Sequence, residues 1–212
     1  MAYDLEEQDK LDALKAWWEQ YGSLVIAAVA AFVLSIGGVQ GWRYWQTQQA
    51  QEAAAGYAAL EKALLASDLA RARQSAQALR DGHAKSPYAP RAALAAARLA
   101  VDIGDLDAAR AELQWAAANA REDGLRDTAR LRLARVQFAQ QRHEEALATL
   151  GGDVTLPFRA LFADLRGDVL LAQGKADAAR TAYQDALDGS PPENPYRALV
   201  EVKRDALPGG KP

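Results

Sequence analysis

Asp164 and Asp168 stand four residues apart, a spacing that puts two carboxylates on one helix face and comes nearest in this chain to a general acid–base or metal-binding pair. No acidic or histidine partner in sequence supports them, so the face reads as solvated. His83 and His143 are the only histidines and cysteine is absent, which removes thiolate metal sites, disulfides and cysteine nucleophiles. Each histidine sits near a helix end or turn, beside Gly82 or before Glu144-Glu145, where a solvated or capping role is expected. Gly151-Gly152-Asp153 reads as a turn between helices and not as a phosphate cradle. No P-loop, nucleophile elbow, HExxH helix or dinucleotide fingerprint occurs. No metal, no cofactor and no catalytic residue is expected.

The elements that would position any site are helices. Among the 212 residues 49 are Ala, whereas Val, Ile and Thr together number 18. Alanine is the best helix former and β-branched residues favour strands, so the fold class is all-α. The formal net charge of −3 is concentrated at the start. Residues 1–19 carry Asp4, Glu6, Glu7, Asp9, Asp12 and Glu19 against Lys10 and Lys15, leaving the rest near neutrality. A near-neutral body has no electrostatic footprint for nucleic acid.

Gln20 to Trp42 contains no charged residue, and Leu24 to Leu34 is continuously apolar. As a helix this stretch rises roughly 34 Å, enough to cross a hydrocarbon core about 30 Å thick. Trp17, Trp18 and Tyr21 stand at one end and Trp42, Tyr44 and Trp45 at the other, as aromatic belts at two membrane interfaces would. A cleaved signal peptide would want a basic start and small residues just after the apolar run, whereas here the leader is acidic and an aromatic, polar helix follows the run. Residues 20–45 are therefore expected to be a single transmembrane helix surrounded by lipid. Lys10 and Lys15 before the span, against Arg43 alone soon after it, lean toward a cytoplasmic N-terminus. Within the span Ser23, Ala27, Ala31 and Ser35 form a ridge of small residues, and Gly37 with Gly41 adds a GxxxG pair. Such ridges let helix backbones approach closely in lipid.

The body carries an internal repeat. Four stretches align on Ala72, Ala109, Ala146 and Ala179, within segments 48–84, 91–120, 127–150 and 160–191. The last is the clearest, with Gly167, Leu170, Gly174, Ala179, Tyr183, Ala186 and Pro191 in the places of a tetratricopeptide hairpin pair. Gly167 lets the second helix cross closely, Gly104 and Gly174 take the turn, and Tyr183 or Leu113 fills the space between helices. Residues 46–207 are thus expected to form a tetratricopeptide-like stack of helical hairpins, an α-solenoid. Residues 194–206 serve as a capping helix, and 208–212 are a flexible tail.

Stacks of this kind present a concave surface built by their first helices. In the motif's register that surface includes Arg91, Leu94 and Arg98, then Thr128, Leu131, Arg135 and Phe138, then Leu161, Asp164, Asp168 and Leu171. Arg98 and Arg135 occupy equivalent positions and should face one concavity, with Leu131 and Phe138 as apolar anchors for a partner segment.

The leader from Asp4 to Gly22, running directly into the span, and Gly41-Trp-Arg-Tyr-Trp45 after it resemble the YfgM-type family of ancillary subunits of the bacterial Sec translocon. The resemblance covers essentially the whole chain. It implies an inner-membrane protein with a cytoplasmic acidic tail over 1–19 and a periplasmic body. It also implies association with the SecYEG channel and with a membrane-anchored periplasmic chaperone of the prolyl-isomerase type, and a role in handing translocated proteins onward. The other reading of the same architecture is a scaffold for a different envelope assembly machine, in cell-wall synthesis or outer-membrane biogenesis.

Overall fold

A computed structural model describes residues 2–207, which form helices and turns with no strand among the described residues. The proposed 208–212 tail lies outside them. The chain divides into two units, residues 1–51 and 52–212.

In the first unit, helix α1 (Ala2–Leu65, continuing into the second) carries the uncharged stretch. It is long and apolar enough to cross a membrane. Phe32 and Leu34 are 66% and 74% exposed, so no protein core accounts for these side chains. The rings cluster along the helix, with Trp17 5.8 Å from Tyr21 and Trp42 5.4 Å from Trp45. Ser23, Ala27, Ala31 and Ser35 are all exposed. Ser35 turns its hydroxyl inward to the Ala31 carbonyl at 2.8 Å, which keeps the ridge smooth.

The second unit is a stack of hairpins. The end of α1 pairs with α2 (Leu69–His83), α3 (Tyr88–Asp102) with α4 (Leu106–Asn119), α5 (Asp123–Ala139) with α6 (His143–Thr149), and α7 (Leu156–Ala172) with α8 (Ala176–Asp188). Helix α9 (Tyr196–Asp205) follows as the expected cap. Ala72, Ala109, Ala146 and Ala179 are each fully buried. A residue with positive φ stands five positions before each: Ser67 at 53°, Gly104 at 85°, Gln141 at 61° and Gly174 at 76°. These turns share one hydrogen-bond pattern. The N–H groups of Asp68, Asp105, Arg142 and Lys175 reach back to the carbonyls of Ala63, Ala100, Gln137 and Leu170 at 2.8–3.0 Å. That is a Schellman closure, which satisfies carbonyls left open at a helix end and requires a left-handed residue. Asp68 and Asp105 then cap the next helix, accepting from the N–H groups of Arg71 and Ala108 at 3.0 and 2.9 Å.

Each junction between helices buries its own apolar cluster. One joins the end of α1 with α2 and α3, the next α3, α4 and α5, the third α5, α6 and α7, and the last α7, α8 and α9. Alanines dominate the first two clusters, which lets those backbones approach closely. In the last, Gly167 lies beneath Tyr183, and a Cβ there would come within 3 Å of three ring atoms.

Two substitutions check this geometry. Gly167→Ala forces Tyr183 out of its site and should cost about 1–3 kcal/mol. Gln141→Gly removes the side-chain penalty of a left-handed residue and should stabilise by about 1 kcal/mol. Thermal unfolding by circular dichroism should move in opposite directions for the two, and equal or reversed shifts would displace the turn register.

Candidate partner-binding surface

The turn register determines which side chains meet across neighbouring first helices. Counting back from the left-handed residue of each turn, Arg98, Arg135 and Asp168 stand six positions before it, and Leu94, Leu131 and Asp164 ten positions before.

At the end of the stack these positions are occupied. Asp164 is only 5% exposed, and Asp168 half-buried beside it. Lys203 of α9 donates to Asp164 at 3.0 and 3.1 Å and to Asp168 at 2.8 and 2.9 Å. The Tyr183 hydroxyl donates to Asp168 at 2.8 Å and that of Tyr196 to Asp164. The carboxylate pair is therefore not the solvated face its sequence suggests. The cation it lacked comes from a helix 35 positions beyond Asp168 and is invisible to local spacing. Burial would lower Lys203, but its hydrogen bonds and the charges of Asp168 and Asp164 outweigh that and hold the ammonium above the ordinary lysine range. Burial first, then the hydrogen bonds to the two carboxylates, pushes both tyrosines well above the phenolic range.

At the middle of the stack the arrangement differs. Arg98 and Arg135, with Arg132, border a cleft of about 300 Å³ between α3 and α5, floored by Ala97, Val101, Leu113, Val136 and Ala139. The two equivalent arginines thus share one concavity. The other sequence candidates lie apart from this cleft. Leu131 is 5% exposed and belongs to the α5–α7 core, where Phe138 also packs half-buried, its ring 5.7 Å from that of His143. Leu94 is buried, Leu161 packs half-buried on the α5–α7 core, and Leu171 is exposed. Arg91 pairs with Glu122 at 2.9 Å, and the Thr128 hydroxyl donates to the Gly124 carbonyl at 2.7 Å.

Three polar groups, the buried Glu112 and Asp127 and the half-buried Arg130, escaped the sequence reading because each has partners on another element. Glu112 of α4 receives Arg80 of α2 through two bonds, 2.7 and 3.1 Å, while Arg80 lies over the Trp115 ring. Burial nevertheless pushes the Glu112 carboxyl up against the opposing charges of Arg80 and Arg73. Asp127 accepts from the N–H and hydroxyl of Thr155 at 2.9 and 2.8 Å, tying α5 to the start of α7. Arg130 donates to the carbonyls of Thr149, Gly151 and Asp153, so the Gly151-Gly152-Asp153 turn offers carbonyls to a cation and is no anion cradle. The histidines are likewise not free in solvent. His83 is half-buried in the last turn of α2, 4.0 Å from Glu52, and His143 is half-buried at the start of α6. No cluster of three metal-ligating side chains occurs among the described residues.

The repeated turn, the buried alanines and the capping helix define a tetratricopeptide-like protein, and the sequence matches the tetratricopeptide repeat-like domain family over residues 15–209. A protein of Haemophilus influenzae named ancillary SecYEG translocon subunit is 35% identical over 88% of this chain and 91% of its own length. Proteins of the same name from Neisseria gonorrhoeae and Escherichia coli are each 31% identical, covering 98% and 84% of this chain and 100% and 85% of their own. The chain belongs to this YfgM-type family of ancillary translocon subunits.

The Lys203 cluster yields a stability prediction. Lysine and phenol protons are both held more tightly in the folded chain, so the cluster's contribution is present at neutral pH and lost as pH rises above about 10. Lys203→Ala leaves Asp164 as an uncompensated buried charge and should cost about 3 kcal/mol at neutral pH. Unfolding measured between pH 7 and 11 should show a parent advantage that shrinks with pH, and a constant gap would mean that the cluster is not ionic.

Proposed function

We propose that this chain is a non-enzymatic adaptor, anchored by α1 in the bacterial inner membrane and associated with the SecYEG translocon. Its N-terminus lies in the cytoplasm and its hairpin body in the periplasm. There it links the channel to a membrane-anchored chaperone of the prolyl-isomerase type and helps to hand over translocated proteins. One observation carries the reading. A helix whose uncharged stretch has exposed apolar side chains and aromatic belts at both ends precedes a hairpin stack, in a chain that aligns along nearly all of its length with relatives named for the translocon.

The ridge of Ser23, Ala27, Ala31 and Ser35 is the contact proposed for a channel helix. Lipid supplies no hydrophobic drive for helix association, so close packing has to supply it. Ala27→Ile with Ala31→Ile should leave insertion intact and reduce co-purification of SecYEG from detergent extracts by about tenfold. Full recovery would move the contact to the body. Cell-wall synthases or outer-membrane assembly factors recovered in place of SecYEG from the parent would support the envelope-scaffold reading. A reporter that is active only in the periplasm, fused after Pro212, should function, and activity of a cytoplasm-dependent reporter there would reverse the orientation.

A further inference from the structure

We propose that the cleft between α3 and α5 seats an acidic–apolar polypeptide segment, one apolar side chain entering it between carboxylates that meet Arg98, Arg132 and Arg135. The proposal deepens the adaptor reading, on which it rests, by naming the chemistry of the segment that the body receives.

The stack contains its own example of how this face is closed. At the α7–α9 junction the register positions carry Asp164 and Asp168, and α9 supplies the opposite charge through Lys203 while Val200 is buried in the core beside it. The α3–α5 junction carries arginine at one of these two register positions, six before the turn, and buried leucine at the other, and no carboxylate of a neighbouring helix pairs with the arginines among the described residues. Among the described residues Arg98 pairs only with Asp102, its own helix neighbour, at 3.8 Å. Arg132 and Arg135 are exposed and have no ion pair within 4 Å among the described residues, although the Arg135 charge reaches the Tyr196 hydroxyl of α9. Three guanidiniums around one apolar floor repel each other, so an occupant bearing carboxylates removes repulsion as well as adding attraction. Guanidinium forks suit carboxylates in bidentate geometry. The floor, where Val101 remains 42% exposed, suits an apolar side chain. The charge mirror of α9, an apolar residue with acidic residues near it on one polypeptide, meets both demands.

The test uses the full chain in neutral detergent micelles. A fluorescein-labelled peptide with leucine between glutamates, and its counterpart with lysine for each glutamate, are titrated by fluorescence anisotropy at low and high salt. The parent should bind the glutamate peptide about tenfold more tightly, with salt weakening it. Arg98→Glu with Arg135→Glu should reverse the preference without moving the unfolding temperature, and Arg132→Gln should weaken the glutamate peptide alone. Equal binding of both peptides by the parent, or an unchanged preference in the charge-reversed chain, would overturn the proposal. So would tight binding to phosphatidylglycerol vesicles that the charge reversal abolishes while the parent ignores the peptide. If the peptide preference holds but SecYEG fails to co-purify with the parent, the cleft stands and the translocon reading falls.

Discussion

Each of the four hairpins closes at a residue that turns left-handed, and the distance from that residue to the next buried alanine sets the phase of the helices built on it. Ser67, Gly104, Gln141 and Gly174 turn, and Ala72, Ala109, Ala146 and Ala179 pack five positions later. Because side chains recur every three to four residues on a helix face, this phase decides which residues enter the core and which look out from the first helices. A shift of one position would bring Arg98 and Arg135 toward the core and carry Leu94 and Leu131 out of it. Two of the four turns use side-chain-bearing residues in a conformation that glycine takes without penalty. The shared backbone closure and the packed alanines hold them there.

The same phase distributes charge. Positions equivalent in the repeat carry arginine in the middle of the stack and aspartate at its end. At the end α9 answers the carboxylates with Lys203, and the junction is closed by hydrogen bonds and a buried Val200. Away from that face, buried polar groups tie neighbouring hairpins together: Glu112 with Arg80, and Asp127 with Thr155. Breaking one partner of such a pair leaves a buried charge, so these ties specify alignment more than they add net stability.

Much of this was legible in the sequence. The four alanines, the turn glycines 104 and 174, the close crossing at Gly167 under Tyr183 and the capping helix all follow from residue type at repeat spacing. The uncharged stretch and its aromatic belts follow from composition alone. What was not legible depends on pairing across elements. Ser67 and Gln141 carry no turn signature, since neither is the residue a left-handed turn favours. Asp164 looked wet because Lys203 is distant in sequence. Phe138 lies one turn beyond Arg135, yet its ring packs on the α5–α7 core while the arginine borders the cleft with Arg132, a division that spacing along α5 alone does not show.

The proposed account assigns two contacts to one chain, a small-residue ridge on the membrane helix and an arginine-bordered cleft in the body, each fitted to a different partner. Site-specific photo-crosslinking in intact membranes tests that division most directly, with one probe at Ala31 and another at Val101 on the cleft floor. The account predicts that the Ala31 probe captures a subunit of the translocon channel and the Val101 probe a different polypeptide, through a segment rich in acidic and apolar residues. Capture of channel subunits from Val101 with none from Ala31 would contradict it.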